Sequence, residues 1–336
     1  MKIMFFSTRP YDRETMLAAN AGRHQLEFTE AKLDDKTAVL AQGYDAVCGF
    51  VNDRFTAPVL QALATTGVRL VLLRCTGFNN VDLAAADSVK IAVMRVTHYS
   101  PFAVAEFAVT LMLALSRKIH RSYNKVREDN FLLDGLLGFD LHGKTVGIIG
   151  TGKIGRVLAR ILSGFGCVIL AYDPHEDSGC KEIGVRYVPL TELLRSADIV
   201  SLHLPLTPET HHMIDGTALA TMKPGAMLIN TSRGGLINSV ALVRALKTRH
   251  LGAVGLDVYE EEGDLFFRDL SGQIMQDDVF ARLSSFPNVI VTGHQAFFTQ
   301  EALRDIAVAT IGNIEDFIAG RSSENCLIVA KHVHTS

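Results

Sequence analysis

The 336-residue sequence has no long apolar run, no excess of either charge, no paired cysteine pattern and no repeat of fixed period. Each gap removes a class of function. A membrane-spanning helix needs roughly 18 or more apolar residues in a row. The longest candidate here, around 107–115, is closed off by Glu106 and Arg117 and reads as a buried helix. Lysine and arginine number 33 against 36 acidic residues, a formal net charge of −3, which gives no basic face for nucleic acid. Cys48, Cys75, Cys167, Cys180 and Cys326 form no Cys-x-x-Cys pair, so neither a metal centre nor a disulfide framework is expected. An odd, widely spread set of this kind reads as buried thiols in a reducing compartment, by default the cytoplasm. Cys75 lies beside a predicted loop, where packing is the expected role and a reactive thiol the alternative. The apolar run at residues 1–6 is too brief for a secretory leader, so a chain that stays inside the cell is expected.

What is present is apolar: 48% of residues are hydrophobic and 21% charged, enough to bury a core and to exclude a disordered chain. Single cores stop growing near ~250 residues, which predicts about two domains. Short β-branched runs at 145–149, 169–172, 199–202, 227–229, 254–256 and 289–291 alternate with helix-length segments. That alternation predicts an α/β fold with a parallel, doubly wound sheet. Runs at 3–6, 46–49, 69–73 and 91–96 repeat the pattern as a smaller α/β unit.

Ser100-Pro101 is an N-cap followed by proline at the first helical position, opening a helix to about Lys118. Over 102–115 this helix is apolar almost all round, so protein must cover it on several sides, either the second domain or another subunit. A second helix is predicted over 299–319, ended by Gly320. Its placement after six strands have filled one sheet sends it back to the first domain. The expected division is therefore residues 1–100 with 299–336 as a substrate domain and residues 101–298 as a cofactor domain.

Directly after the run at 145–149 stands Gly150-Thr151-Gly152-Lys153-Ile154-Gly155. In a strand–turn–helix context, Gly150 permits the tight turn, Gly152 lets backbone N–H groups approach a pyrophosphate, and Gly155 allows helix and strand to pack closely. Asp173 ends the next strand, where a ribose-binding acid belongs, and no arginine follows it closely. A carboxylate there accepts from ribose hydroxyls and repels a 2′-phosphate, which favours NAD over NADP. The alternative makes Asp173-Pro174 a turn starter.

His203, Arg233, Asp257, Glu262 and His294 follow the carboxyl ends of predicted strands, the edge where open α/β sheets bind ligands. Arg233 sits between Asn230-Thr231-Ser232 and Gly234-Gly235, a position suited to fork-like recognition of a carboxylate. Glu262 and His294 follow consecutive strands and could meet as a carboxylate–imidazole pair. Taken singly, Arg233 reads as a surface cation, Glu262 as one of three solvated acids and His294 as a packed histidine. Their shared position on a dinucleotide fold favours the functional reading.

The glycine loop, the stretch Ser201-Leu202-His203-Leu204-Pro205-Leu206-Thr207-Pro208-Glu209-Thr210, the Asn230-Thr231-Ser232-Arg233-Gly234-Gly235 turn, Gly255-Leu256-Asp257-Val258-Tyr259-Glu260 and Thr292-Gly293-His294-Gln295-Ala296 resemble the signatures of the D-isomer-specific 2-hydroxyacid dehydrogenases. The resemblance covers essentially the whole chain. Arg74-Cys75-Thr76-Gly77-Phe78-Asn79-Asn80-Val81-Asp82, Asp264-Leu265-Phe266-Phe267 and Gln276-Asp277-Asp278-Val279-Phe280 narrow it to the bacterial fermentative D-lactate dehydrogenases.

The resemblance implies a Rossmann-type cofactor domain and a smaller flavodoxin-like substrate domain with a cleft between them, and reduction of pyruvate by NADH. The all-round apolar helix at 102–115 predicts a closed homo-oligomer, a dimer at minimum, which the resemblance extends to a tetramer. It makes Arg233 the clamp on the substrate carboxylate and carbonyl, His294 the acid/base and Glu262 its partner. Ile154, Asp173, Leu204, Pro205, Thr231, Ser232, Arg233 and Asp257 would contact NAD, Asp257 near the carboxamide. Tyr99 and Phe297 would border the substrate, and the backbone at Thr76 and Gly77 would grip its carboxylate. Two departures from the family are Thr210, where asparagine is common, and Phe107, where close relatives carry histidine. Glyoxylate, hydroxypyruvate or a bulkier 2-oxo acid are alternative substrates, and an NAD-sensing corepressor is the alternative outside the enzymes.

Overall fold

The computed structural model describes residues 1–328, so the stretch 329–336 of the expected substrate domain lies outside the described residues. The chain divides into two compact units, Met1–Ser100 with the described part of Phe298–Ser336, and Pro101–Phe297. Phe298 stands in the first unit, where its ring meets Tyr11 edge-on at 4.7 Å.

In the first unit the strands are β1 (Lys2–Phe5), β2 (Gln25–Phe28), β3 (Ala46–Gly49), β4 (Leu70–Leu73) and β5 (Ala92–Arg95). In the second they are β6 (Thr145–Ile149), β7 (Val168–Tyr172), β8 (Arg186–Tyr187), β9 (Ile199–Leu202), β10 (Ala226–Asn230), β11 (Leu251–Leu256) and β12 (Val289–Val291). The chain then adds β13 (Cys326–Ile328) to the first sheet. The orders are β13-β5-β4-β3-β1-β2 and β12-β11-β10-β9-β6-β7-β8.

The inner strands β3, β4, β9 and β10 are buried along their whole length, as expected of apolar runs covered on both faces. Three strands escape the apolar-run reading. β2 alternates exposed and half-buried residues at a sheet edge, β8 has two residues, and β13 is half-buried throughout. Edge strands bury one flank at most and so carry a weak apolar signal. β13 also runs antiparallel to β5, which makes the first sheet mixed at one edge. Asn325 anchors this return, its carbonyl accepting from Arg95 N at 2.9 Å and its amide donating to Asn313 at 2.7 Å.

The Pro101–Ser116 helix buries Ala105, Ala108, Val109, Leu111, Met112 and Leu115 and packs on the Lys153–Gly164 helix and on β10 and β11. Its core includes Val146, Ile148, Leu158 and Ile229, and Phe107 packs against the same cluster. Glu106 and Thr110 are exposed, so one line of this helix faces water. No helix among the described residues is long and apolar enough to cross a membrane.

In the first unit, the fully buried Arg74 follows β4 and joins three segments. It pairs with Asp12 at 3.3 Å and donates to Phe6 O and Ser7 O at 3.0 and 2.8 Å. A buried guanidinium is tolerable only when its donors are matched in this way. The next residues, Cys75 to Gly77, are held as well. Cys75 is buried with its thiol on Gly77 O, and Arg95 donates to Thr76 O at 2.6 Å while lying over the Phe78 ring.

Candidate active site

In the second unit the strand order reverses at β6, with β7 and β8 on one side and β9 to β12 on the other. That reversal opens a crevice at the carboxyl ends of β6 and β9, the usual ligand position in such sheets. Gly150 leaves β6 at φ +94°, a left-handed conformation that glycine adopts without strain, and a Cβ there would lie 2.3 Å from His203 O. A Cβ on Gly155 would lie 2.0 Å from Gly150 O, so helix and turn are in backbone contact. Gly152 is different, with open space where its Cβ would be, at the N-cap of the Lys153–Gly164 helix. The positive end of the helix faces that space, which fits a pyrophosphate.

Asp173 lies just past β7, where Oδ2 accepts from Thr151 N at 2.7 Å and Oδ1 from His175 N at 2.8 Å. Tyr187 steadies the same corner by donating to Thr151 Oγ1 at 2.8 Å. Tyr187 is the part of the acid's setting that the sequence does not show, since β8 is a two-residue strand at a sheet edge. Leu204 and Pro205 follow β9, and Thr210 fastens their loop by donating to Pro205 O and accepting from Thr207 N, both at 2.8 Å. The threonine found in place of asparagine thus has a structural task of its own.

His203 is held neutral. Burial pushes its pKa down to about 4, its Nε2 lies 2.8 Å from Ser201 Oγ, and its Nδ1 is buried without a hydrogen-bond partner.

The turn after β10 is built by Asn230, which is fully buried. Its side chain accepts from Ser232 N at 3.0 Å and donates to Arg233 O at 2.8 Å, while Ser232 Oγ donates to Leu202 O at 2.7 Å. Thr231 Oγ1 is buried and unpartnered, as expected of a hydroxyl that awaits a polar ligand. Arg233 is half-buried, and Nη1 donates to Ser232 O at 2.6 Å. Gly234 allows the turn to press on the next segment, since a Cβ there would lie 2.0 Å from Tyr259 C. Asn230 is the residue whose role the sequence left unread, although it opens the Asn-Thr-Ser-Arg-Gly-Gly run.

Asp257 leaves β11 fully buried, and burial pushes its carboxyl up against the pull of Thr292, Ala296 and Gln295. It accepts from Thr292 Oγ1 at 2.6 Å, Gln295 N at 2.9 Å and Ala296 N at 2.8 Å. Its carboxylate therefore shapes the loop that carries His294. That loop is strained: His294 has φ +56°, and its N–H is held by Asp257 O at 2.8 Å. A non-glycine residue there costs about 1–2 kcal/mol. His294 Nδ1 lies 2.8 Å from Glu262 Oε1, and Glu262 Oε2 accepts from Tyr259 N at 2.9 Å. The carboxylate thus fixes one ring nitrogen and leaves Nε2 for proton transfer.

The structure brings Glu262, His294 and Asp257 together, joins the Arg233 turn to the Tyr259–Glu260 backbone, and sets the glycine loop beside His203. Thr76, Gly77 and Tyr99 belong to the first unit and Phe297, half-buried, to the second.

Residues 109–296 match the family described as D-isomer specific 2-hydroxyacid dehydrogenase, NAD binding domain. The chain is 51% identical over 337 aligned positions to the 2-hydroxyacid dehydrogenase A of Aspergillus oryzae, covering 99% of this chain and 97% of that one. It is 49% identical to the D-lactate dehydrogenase of Escherichia coli K12, covering 98% and 100%. The apo structure of D-lactate dehydrogenase from Escherichia coli superposes with a TM-score of 0.89 at 46% identity, over 98% of this chain and 100% of that one. The Aquifex aeolicus D-lactate dehydrogenase, complexed with NAD and lactic acid, gives a TM-score of 0.86 at 31% identity, over 97% and 98%. With its glycine loop, buried Asn230 turn and carboxylate-held histidine, this chain belongs to the NAD-dependent D-isomer-specific 2-hydroxyacid dehydrogenases.

Proposed function

We propose that this member of the family interconverts pyruvate and D-lactate. The observation that carries the reading is the Glu262–His294 contact at 2.8 Å on the sheet edge that also presents Arg233 and the glycine loop. NADH, when bound, supplies the hydride that reduces the carbonyl carbon of the 2-oxo acid. Asp173 receives the ribose hydroxyls, the backbone at Gly150, Gly152, Ile154 and Gly155 receives the pyrophosphate, and Leu204, Pro205, Thr231, Ser232 and Asp257 complete the dinucleotide contacts. Arg233 grips the substrate carboxylate and stabilises negative charge as it develops on the carbonyl oxygen. His294 donates its Nε2 proton to that oxygen, with Glu262 holding the ring in place and balancing the imidazolium. In lactate oxidation the neutral ring takes the hydroxyl proton. Thr76 and Gly77 offer backbone donors to the substrate carboxylate, and Tyr99 and Phe297 border the substrate; these four rest on the family resemblance. Pyruvate is favoured as substrate by the D-lactate dehydrogenases among the relatives.

The test follows NADH absorbance on addition of pyruvate, glyoxylate, hydroxypyruvate and a branched 2-oxo acid, with the product assigned by an enantiomer-specific lactate assay. Pyruvate should give the highest kcat/KM and D-lactate the product. A clear preference for another 2-oxo acid would overturn the substrate, and L-lactate would overturn the stereochemistry.

A homo-oligomer belongs to the same proposal. The Pro101–Ser116 helix is largely covered within its own unit, and the apolar surface lies just beyond it. Ile119, Tyr123, Val126, Phe131, Leu132, Leu133 and Leu137 are each at least half exposed, Leu137 at 88%. Such a patch suits a second copy of the chain. Five unpaired cysteines suit the reducing cytoplasm.

A further inference from the structure

Away from the catalytic pair, the second unit gathers a cluster that no step of the proposed reaction uses. One ligand atom from each of His211, His212 and Glu260 lies within 4.8 Å of the other two. The imidazoles stack with centroids 3.9 Å apart, and His212 Nε2 hydrogen-bonds a Glu260 oxygen. The frame around them is fixed. Glu260 Oε2 accepts from Ser239 N at 3.2 Å, Asn238 Nδ2 lies 3.4 Å from His212 Nδ1, and His212 N donates to Gly235 O at 2.8 Å. His211 is exposed, so its ring can turn toward an ion without disturbing the fold.

We propose that His211, His212 and Glu260 form a binding site for a transition-metal dication of the zinc type. Two imidazoles and one carboxylate are the donors that zinc takes, with water in the fourth place, whereas magnesium and calcium prefer oxygen alone. The ion takes Nε2 of His212 in place of the proton shared with Glu260, the ring binding as the neutral imidazole with its one proton moved to Nδ1 and the carboxylate ionised. Ser239 N orients the carboxylate, an outer contact of the kind that metal ligands need. The competing explanation is a plain brace, in which His212 and Glu260 tie two loops and His211 only stacks on the outside. It gives His211 no part in holding an ion. This inference stands whether or not pyruvate is the substrate.

The experiment is a calorimetric titration of the chelator-stripped full chain with zinc chloride. Wild type is compared with His211→Ala and with His142→Ala, a control at an exposed histidine elsewhere in the unit. Wild type and His142→Ala should each take up one tight equivalent of zinc. Outer contacts of zinc sites alone are worth ~10–100-fold in affinity, so losing a ligand in His211→Ala should weaken that equivalent by at least about tenfold. Crystals soaked in zinc chloride and measured at the zinc absorption edge should show a peak among the three side chains. Equal zinc uptake by His211→Ala, no tight equivalent in wild type, or an anomalous peak only elsewhere would overturn the proposal.

Discussion

Glu262 and His294 meet through Oε1 and Nδ1 at 2.8 Å, with side chains 22% and 14% exposed, while the second glutamate oxygen is held by the Tyr259 N–H. The acid is thus anchored at both oxygens and cannot turn away from the ring. Its neighbours point elsewhere: Glu260 is bound to His212, and Glu261 is exposed. Glu262→Gln should therefore lower kcat by about 10²-fold, on the scale of a lost acid/base contribution, while leaving the dissociation constant for NADH unchanged. Glu261→Gln should behave as wild type. Stopped-flow NADH binding and steady-state kinetics separate the two effects, and equal kcat losses in both variants would remove Glu262 from the site.

The Arg233 backbone is set by a turn that Asn230 holds at both ends, and the guanidinium Nη1 donates to Ser232 O at 2.6 Å. Arg233→Lys keeps the charge and loses the fork. The expected loss in kcat/KM for pyruvate is roughly 10²-fold or more, about 3 kcal/mol of transition-state stabilisation. Near-normal reduction by this variant would assign the clamp to another residue.

Asp173 presents a carboxylate beside Thr151 N, where a 2′-phosphate would meet like charge. Asp173→Ala should raise KM for NADH and narrow the preference over NADPH. Equal use of both cofactors by the unmodified protein would show that the charge does not select.

His203 gives a stability prediction. Its pKa is about 4 in the fold, against about 6.5 in an unfolded chain. Between those values the unfolded chain binds the extra proton, so stability is greatest above pH 6.5 and falls as pH drops toward 4, by roughly 3 kcal/mol at most. In His203→Gln the loss between pH 7 and pH 4 should shrink by about that amount, measured from urea midpoints. An unchanged difference would mean that the ring is charged without cost.

Leu133 and Leu137 are 80% and 88% exposed and lie in the stretch of chain that follows the Pro101–Ser116 helix. Light scattering on the wild type should give at least twice the 36.7 kDa chain mass, and Leu133→Asp with Leu137→Asp should shift it toward one chain. A wild-type mass near that of a single chain would refute the oligomer.

Much of this was written locally. The runs that became β3, β4, β9 and β10 are apolar because both their faces are covered, and the glycine loop is legible because its three glycines must fall within one turn. Tertiary structure decided what separation in sequence conceals. The edge strands β2 and β8 and the antiparallel β13 needed a neighbouring strand to exist, since little of their own surface is buried. Which of three consecutive acids meets His294 depends on the direction each side chain takes from one short turn, set by the Tyr259 N–H and by the packing of Gly234 on that backbone. The cluster of His211, His212 and Glu260 has no spacing to read, because Glu260 stands 48 residues beyond His212 and only the pairing of two loops joins them. Composition and period are fixed within a few residues, whereas partners depend on long-range register, which the folded chain alone supplies.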